Sequence, residues 1–259
     1  MKYFNLYILF FCSLPLCSQY QHAYKNQELP CIQKEFQLYV HVTRDSLGNT
    51  KITPERIQSI LNSVNSVFEP ICFSFSYCKL DTIIDYSFNL IDVDKEVEML
   101  TSRFQQKKRI NLYFVDFTAN YAYSTFFGVS NHDNAYIIVE KGGTPHITIC
   151  RELGRIFGLY LTNETQFGYE LVNRSNCYTT GDLLCDTPAE PTDVIPLTAA
   201  VVDKDCNVIY PKKDANGDYY TPDVSNFMSP HLNCFGCGFT NEQYRRMAAN
   251  YLMSNKKPW

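Results

Sequence analysis

The first part of the chain alternates between hydrophobic patterns typical of strands and of helices. Apolar and polar residues alternate over Glu35–Val42, as expected for a strand with one buried face. Thr53 and Pro54 open a segment that runs to about Phe68, in which apolar residues recur every three or four positions. Threonine is a favoured N-cap and proline is tolerated in the first turn, so this segment is predicted to be a helix. Its predicted buried side consists of Ile57, Ile60, Leu61, Val64 and Val67.

These patterns continue to about residue 162 and then become rare. The further predicted elements are strands at Ile71–Tyr77, Arg109–Phe117 and Ala135–Val139 and helices at Val93–Gln106, Thr148–Thr162 and Asn241–Met253. This order predicts an α+β fold in which a mixed sheet carries packed helices. We expect one domain over residues 19–259, with an upper lobe at about 31–161, a lower lobe of mostly loops at about 162–259, and one cleft.

The amino terminus has the features of a secretory signal peptide. Met1 and Lys2 give a positive start, Tyr3–Cys17 is apolar, and Ser18 precedes a polar sequence. The apolar run is too short to span a bilayer, and no later run is long enough. We therefore predict that residues 1–18 are removed and that the remaining chain is secreted, either to the extracellular space or to the periplasm.

Charge argues against two classes of partner. The formal net charge is −4, and the chain has no block of like charges. Nucleic acids and anionic membranes select basic surfaces. We therefore expect no nucleic-acid partner and no membrane association after the signal peptide is removed.

The number of cysteines predicts disulfide bonds. Of eleven cysteines, two lie in the predicted signal peptide, which leaves nine in an exported chain. Because nine is odd, at least one is free or bonds another molecule, and Cys150 is a good candidate. Cys72 and Cys78 would be roughly 20 Å apart in extended chain, so they cannot bond each other. Cys31 is a possible partner for one of them.

The central helix carries a spacing associated with zinc peptidases. Thr148–Thr162 is predicted to be helical until soon after Gly158, with Ile149, Leu153, Ile156 and Phe157 on its apolar side. Its sequence follows the pattern H-E-x-x-H-x-x-G-x-x-H, with Glu152 and Gly158 in place. The three histidine positions are occupied by Arg151, Arg155 and Leu161.

These three residues do not have the chemistry of zinc ligands. A ligand must supply a lone pair, whereas guanidinium has only donors and stays protonated. A divalent ion about 4 Å from Arg151 or Arg155, at an effective dielectric of ~20, would be repelled by roughly 8 kcal/mol. Leu161 has no ligand atom. We therefore expect no zinc here, and Glu152 would lack the metal-polarised water on which a general base acts.

Several motifs in the second half resemble the pappalysin family of metzincin metallopeptidases. They follow the central helix in the same order as in that family. The matching pieces are Gly158-Leu159-Tyr160, Asn176-Cys177, Gly181–Pro188, Ser225–Ser229, Cys234 and Phe239-Thr240. The resemblance spans about residues 36–253 and is specific over 146–247.

The resemblance implies a metzincin fold, with a twisted sheet, a backing helix and an active-site helix above an irregular, disulfide-linked lower lobe. It implies the disulfides Cys177–Cys206 and Cys185–Cys234 and places Met228, in the family's Met-turn, beneath the site. Glu152 would occupy the general-base position. The chain departs from the family at Arg151, Arg155 and Leu161 and at Pro230, where active relatives often carry a tyrosine.

The two arginines have two interpretations. In the simpler one, Glu152 and the two arginines form an ion-pair cluster that fills a vacated metal cavity. In the other, Arg151 and Arg155 bind a carboxylate of a peptide or protein partner. Calcium at Asp214–Asp218 is a weaker expectation, because Ser225 stands where the twelfth-position glutamate of a calcium loop would be.

The sequence thus predicts a secreted pseudo-peptidase that binds a peptide or protein in its former substrate cleft. The alternative is an active zinc metalloendopeptidase with non-standard ligands. A third hypothesis is a decoy that occupies regulators of active relatives. No pair of histidines at ligand spacing on one helix supports the alternative; the histidines after residue 18 are His22, His41, His132, His146 and His231.

Overall fold

A computed structural model describes residues 28–91, 94–119, 122–124, 135–191, 203, 212–231 and 237–254. The predicted signal peptide, residues 1–18, lies outside them. The strands are β1 (Lys34–Thr43), β2 (Phe73–Ile83), β3 (Leu90–Ile91), β4 (Ile110–Val115), β5 (Phe117–Thr118), β6 (Ala122–Ser124) and β7 (Tyr136–Glu140). The α-helices are α1 (Pro54–Phe68), α2 (Asp94–Phe104), α3 (Pro145–Ile156) and α4 (Asn241–Met253).

Within the described residues, the main sheet has five strands in the order β2-β1-β4-β7-β6. The first four run parallel, and β6 runs antiparallel to β7. A small parallel pair, β3 and β5, stands apart from it. The combination of this sheet with packed helices confirms the predicted α+β class.

The two faces of the main sheet bury different helices. Alternate residues of β1 and β4, including Phe36, Val40 and Leu112, pack with α1, α3 and α4. The intervening residues Tyr113 and Val115 of β4 pack with α2 on the other face. This alternation follows the two-residue repeat of a strand. Helix α3 is therefore held between the sheet and the chain that follows it.

Local chemistry explains where the observed elements differ from the prediction. The Thr53 side chain caps α1 by accepting from Arg56 N–H (3.2 Å), as expected. Cys72 has a φ of +55°, which ends a short 3₁₀ turn and delays β2 until Phe73. The strand then continues past the predicted end to Ile83 and accommodates a bulge where Leu38 pairs with Tyr77 and Tyr39 with Lys79.

Strand β2 lies at one edge of the main sheet and is partly covered there. The Asn65 side chain of α1 donates to the Phe75 carbonyl oxygen (3.0 Å) and accepts from the Phe75 N–H (2.7 Å). These are the groups through which an edge strand would pair with another chain. Asn65 therefore satisfies the outward-facing backbone of this residue.

The disulfides correct part of the prediction. Cys31 bonds Cys72, as the spacing argument allowed, and Cys78 and Cys150 are free. Cys177 bonds Cys185, whose Cα lies 5.1 Å away, so the predicted pairs Cys177–Cys206 and Cys185–Cys234 are wrong for these two cysteines. Turns between the two fold the segment back on itself, which brings cysteines eight positions apart together. Cys206 and Cys234 lie outside the described residues.

Among the described residues, no helix has both the length and the apolar content needed to cross a bilayer.

Candidate functional site

Helix α3 begins at Pro145 and ends just before a glycine turn. Gly158 has a φ of +88°, a left-handed conformation that glycine adopts without strain. Its N–H donates to the Arg155 carbonyl oxygen (2.9 Å), and the Leu159 N–H donates to that of Gly154 (2.9 Å). This pair of bonds is a Schellman termination. It reverses the chain, so that Arg155 and Leu161 line one cavity.

The Arg151 side chain points into the protein. The residue is only 7% exposed, and its Nη1 donates to the Ser229 carbonyl oxygen (2.6 Å). Its Nε lies 3.8 Å from Glu152 Oε1. Burial lowers the pKa of Arg151, while the charges of Glu152 and Glu190 oppose that shift. Arg151 therefore ties α3 to the segment after Met228 and has a charged partner within the same buried region.

Glu190 is a second buried acid near the hydrogen bond between Arg151 and Ser229, and the sequence analysis did not identify it. Its carboxylate accepts from the hydroxyls of Thr162 and, at 3.1 Å, of Ser229. His231 Nε2 lies 3.3 Å from Glu190 Oε1 but is poorly aligned for a hydrogen bond. The only sequence signal was its position two residues after the Gly181–Pro188 motif. The loops after α3 thus supply a polar layer that contacts Arg151 through Ser229.

Arg155 has a different environment from Arg151. Its side chain is 36% exposed, and its Nε lies 4.0 Å from Glu152 Oε2. Within the described part of the chain, its guanidinium makes no hydrogen bond. It borders a shallow cavity of about 180 Å³ that is also lined by Leu159, Tyr160, Leu161, Glu164 and Gln166. The two arginines are therefore not equivalent.

Met228 lies in a turn over Ser225–Ser229, which we call the Met228 turn, and packs against α3. Met228 is fully buried, and a Cβ added to Gly154 would come within 2.9 Å of its Sδ. Asn226 accepts from the Met228 N–H (2.8 Å) and exchanges two amide hydrogen bonds with Gln243 of α4 (3.0 and 3.1 Å). The turn is thus fixed both to α3 and to α4.

Zinc does not fit the side chains at the three motif positions. Arg151 uses a donor to bind a carbonyl oxygen, Arg155 presents only donors, and Leu161 presents hydrocarbon. Glu152 is buried beside both guanidinium groups. Across the described ranges, no group of three or more His, Cys, Asp or Glu side chains has metal-binding proximity. These three side chains would therefore not hold a zinc ion.

The Asp214–Asp218 segment is a turn stabilised by its first residue. The Asp214 carboxylate accepts from the backbone N–H groups of Val172, Asn216 and Asp218 at 2.9–3.0 Å. These hydrogen bonds hold Asp214–Asp218 as a tight turn. Calcium binding at this segment stays a prediction.

Other candidate groups are not assembled for catalysis. His41 is buried in the sheet, where its Nε2 lies 3.0 Å from Asn111 Oδ1 and its ring stacks on Tyr113. Cys150 is a free, fully buried cysteine, and burial raises the pKa of its thiol. A buried neutral thiol is a poor nucleophile. His22 and His132 lie outside the described residues.

Comparison with known proteins establishes the fold. No family model and no curated protein sequence matches the chain. The structure of Tannerella forsythia mature mirolysin in complex with a cleaved peptide is similar, with a TM-score of 0.62, 14% identity, and coverage of 88% of this chain and 95% of that one. A promirolysin mutant from the same organism gives a TM-score of 0.57, 13% identity, and coverage of 93% and 88%. The chain therefore has the fold of the metzincin-type metallopeptidases.

Proposed function

We propose that this chain is a secreted, pappalysin-type pseudo-peptidase that binds peptide segments in the former substrate cleft without cleaving them. The observation that carries the proposal is the hydrogen bond from Arg151 to the Ser229 carbonyl oxygen. At the position of a zinc ligand, this chain has a buried cation that links α3 to the Met228 turn. Arg151, which stands at the first histidine position of the zinc motif, thus has a structural role.

A peptide can bind to such a scaffold without a metal. Strand β6 is the outermost strand of the main sheet, runs antiparallel to β7 and lies next to α3. Along the described strands, none pairs with its outer side. An extended peptide added to that side would gain main-chain hydrogen bonds, and neighbouring side chains would select its sequence.

The test combines metal analysis, cleavage and binding on the purified chain without its signal peptide. We expect substoichiometric zinc, no chelator-sensitive cleavage of a diverse peptide library, and saturable binding of some members. Stoichiometric zinc together with chelator-sensitive cleavage would overturn the proposal in favour of a metalloendopeptidase with non-standard ligands. Absence of binding by every peptide would also overturn it.

A further inference from the structure

We infer that the cavity beside Arg155 recognises a carboxylate of the bound peptide, contributed either by an acidic side chain or by a free carboxyl terminus. This inference rests on the proposed peptide-binding function and specifies the chemistry of its ligand. It assigns recognition to Arg155 alone and excludes Arg151 from contact with the ligand.

The availability of donors distinguishes the two arginines. Arg151 is buried, and its Nη1 is already bonded to Ser229. The Arg155 guanidinium lines the cavity, is one-third exposed, and within the described residues has only the 4.0 Å approach to Glu152. Guanidinium offers five N–H donors in a planar arrangement that matches a carboxylate with two parallel hydrogen bonds. The backbone of Arg155 lies in the last turn of α3, and this fixes the base of the side chain that carries those donors.

The cavity walls combine this cation with apolar surface. Leu159 and Leu161 line the cavity, and Gln166 adds an amide that can donate a hydrogen bond. Apolar walls reduce the access of water to the guanidinium, which strengthens a charge-assisted hydrogen bond. Leu161 therefore contributes to recognition at a position where the related motif has a ligand histidine.

Two acidic side chains near the cavity already have partners in the protein. Glu152 is buried and lies within 4.0 Å of both guanidinium groups. Glu164 lines the cavity, but its Oε1 accepts from the N–H groups of Thr165 and Gln166 (both 2.8 Å). Both carboxylates thus have partners in the protein, whereas within the described residues Arg155 makes no hydrogen bond and only approaches Glu152 at 4.0 Å. Glu164 still opposes an incoming anion, so its removal should strengthen binding.

The test uses matched peptides on the purified chain. Members of a peptide library that bind are resynthesised as Glu and Gln pairs, each with an amidated or a free carboxyl terminus, and their dissociation constants are measured by fluorescence polarisation. Wild-type protein should prefer the form with the extra carboxylate by about tenfold. A preference within the Glu and Gln pair assigns the recognised carboxylate to the side chain. A preference between the free and the amidated form assigns it to the carboxyl terminus. The preference should weaken as salt is raised.

Variants assign the preference to a residue. Arg155→Gln should abolish it, Arg155→Lys should retain only part of it, and Glu164→Gln should enlarge it, while circular dichroism shows that each variant is folded. A preference that survives in Arg155→Gln would overturn the inference. Peptides that bind without any carboxylate preference in the wild type would also overturn it, yet leave the proposed function standing. If no peptide binds at all, the proposed function itself fails.

Discussion

Two arginines four positions apart on one helix differ in burial and therefore in role. Arg151 is 7% exposed and bonded to Ser229, whereas the Arg155 side chain is 36% exposed and reaches the cavity. A buried charge requires partners because desolvation is costly. An exposed charge is hydrated, and its ion pairs contribute little to stability.

Replacement of Arg151 should therefore destabilise the fold far more than replacement of Arg155. Arg151→Ala removes the hydrogen bond to Ser229 and leaves Glu152 and Glu190 with less positive charge nearby, which should cost about 2–4 kcal/mol. Arg155→Ala should cost less than about 1 kcal/mol. Urea denaturation of both variants measures the free energy of unfolding. Equal losses would contradict the assignment of separate roles.

A buried acidic pair should give the protein a distinct pH dependence. Burial raises the pKa of Glu170 to about 8 and that of Asp182 to about 7. Both Glu170 carboxylate oxygens are buried, and neither has a hydrogen-bond partner among the described residues. The folded state thus retains protons that the unfolded state has lost, so stability should fall as the pH rises from about 4.5 to about 8.

Glu170→Gln removes one of these ionisations. The variant should be more stable than the wild type at pH 8 by roughly 1–3 kcal/mol, and this advantage should shrink as the pH falls toward about 4.5. Urea denaturation across that range measures the difference. An advantage that does not change with pH would show that Glu170 does not titrate in this range.

At the scale of elements, the contact between α3 and the Met228 turn depends on Gly154, which has no side chain. A Cβ at Gly154 would lie 2.9 Å from Met228 Sδ and 3.1 Å from a ring carbon of Phe239. Both neighbours are fully or almost fully buried and cannot move into solvent. Gly154 therefore sets how closely the helix and the turn approach.

Gly154→Ala should destabilise the fold by about 1–3 kcal/mol through overpacking. Gly142→Ala is the matched control, because a Cβ there meets nothing within 4 Å. Thermal unfolding compares the two. Adding Met228→Ala to Gly154→Ala should cost less than Met228→Ala alone, since the smaller side chain relieves the clash. Strict additivity would argue against this contact.

Hydrophobic periodicity predicted most of the helices and strands, whereas local chemistry determined the residues at which they begin and end. The hydrophobic repeat located α1 and α4, and Asn241–Met253 is helical as predicted. The prediction failed where one residue overrode the pattern, as the left-handed Cys72 did at the start of β2. Glu190 was missed because a loop carries no periodicity. The different environments of Arg151 and Arg155 could not be predicted, because Arg151 bonds Ser229, which is distant in sequence.

For the whole molecule, placing histidines at the three motif positions would test whether the scaffold can position metal ligands. In the triple variant Arg151→His, Arg155→His and Leu161→His, loss of the Ser229 hydrogen bond should lower the stability of the metal-free protein. Zinc at about one hundred times its dissociation constant should then raise stability by about 2.7 kcal/mol. Thermal unfolding with and without zinc measures both effects.

The control for this variant keeps one cation. Arg151→His with Leu161→His retains Arg155, so it has two ligands and a repelling charge. It should show no stabilisation by zinc. If the triple variant also shows none, the three side chains do not converge on one point in this fold.

The amide of Asn65 has a consequence for how copies of this molecule meet. This amide bonds the N–H and the carbonyl oxygen of Phe75. Strand β2 therefore cannot form an uninterrupted ladder of hydrogen bonds with a strand of another copy. The opposite border, β6, has no such guard within the described strands. A sheet that is interrupted at its β2 border cannot add strands continuously on that side. At high concentration, association through the sheet should therefore not extend into fibres.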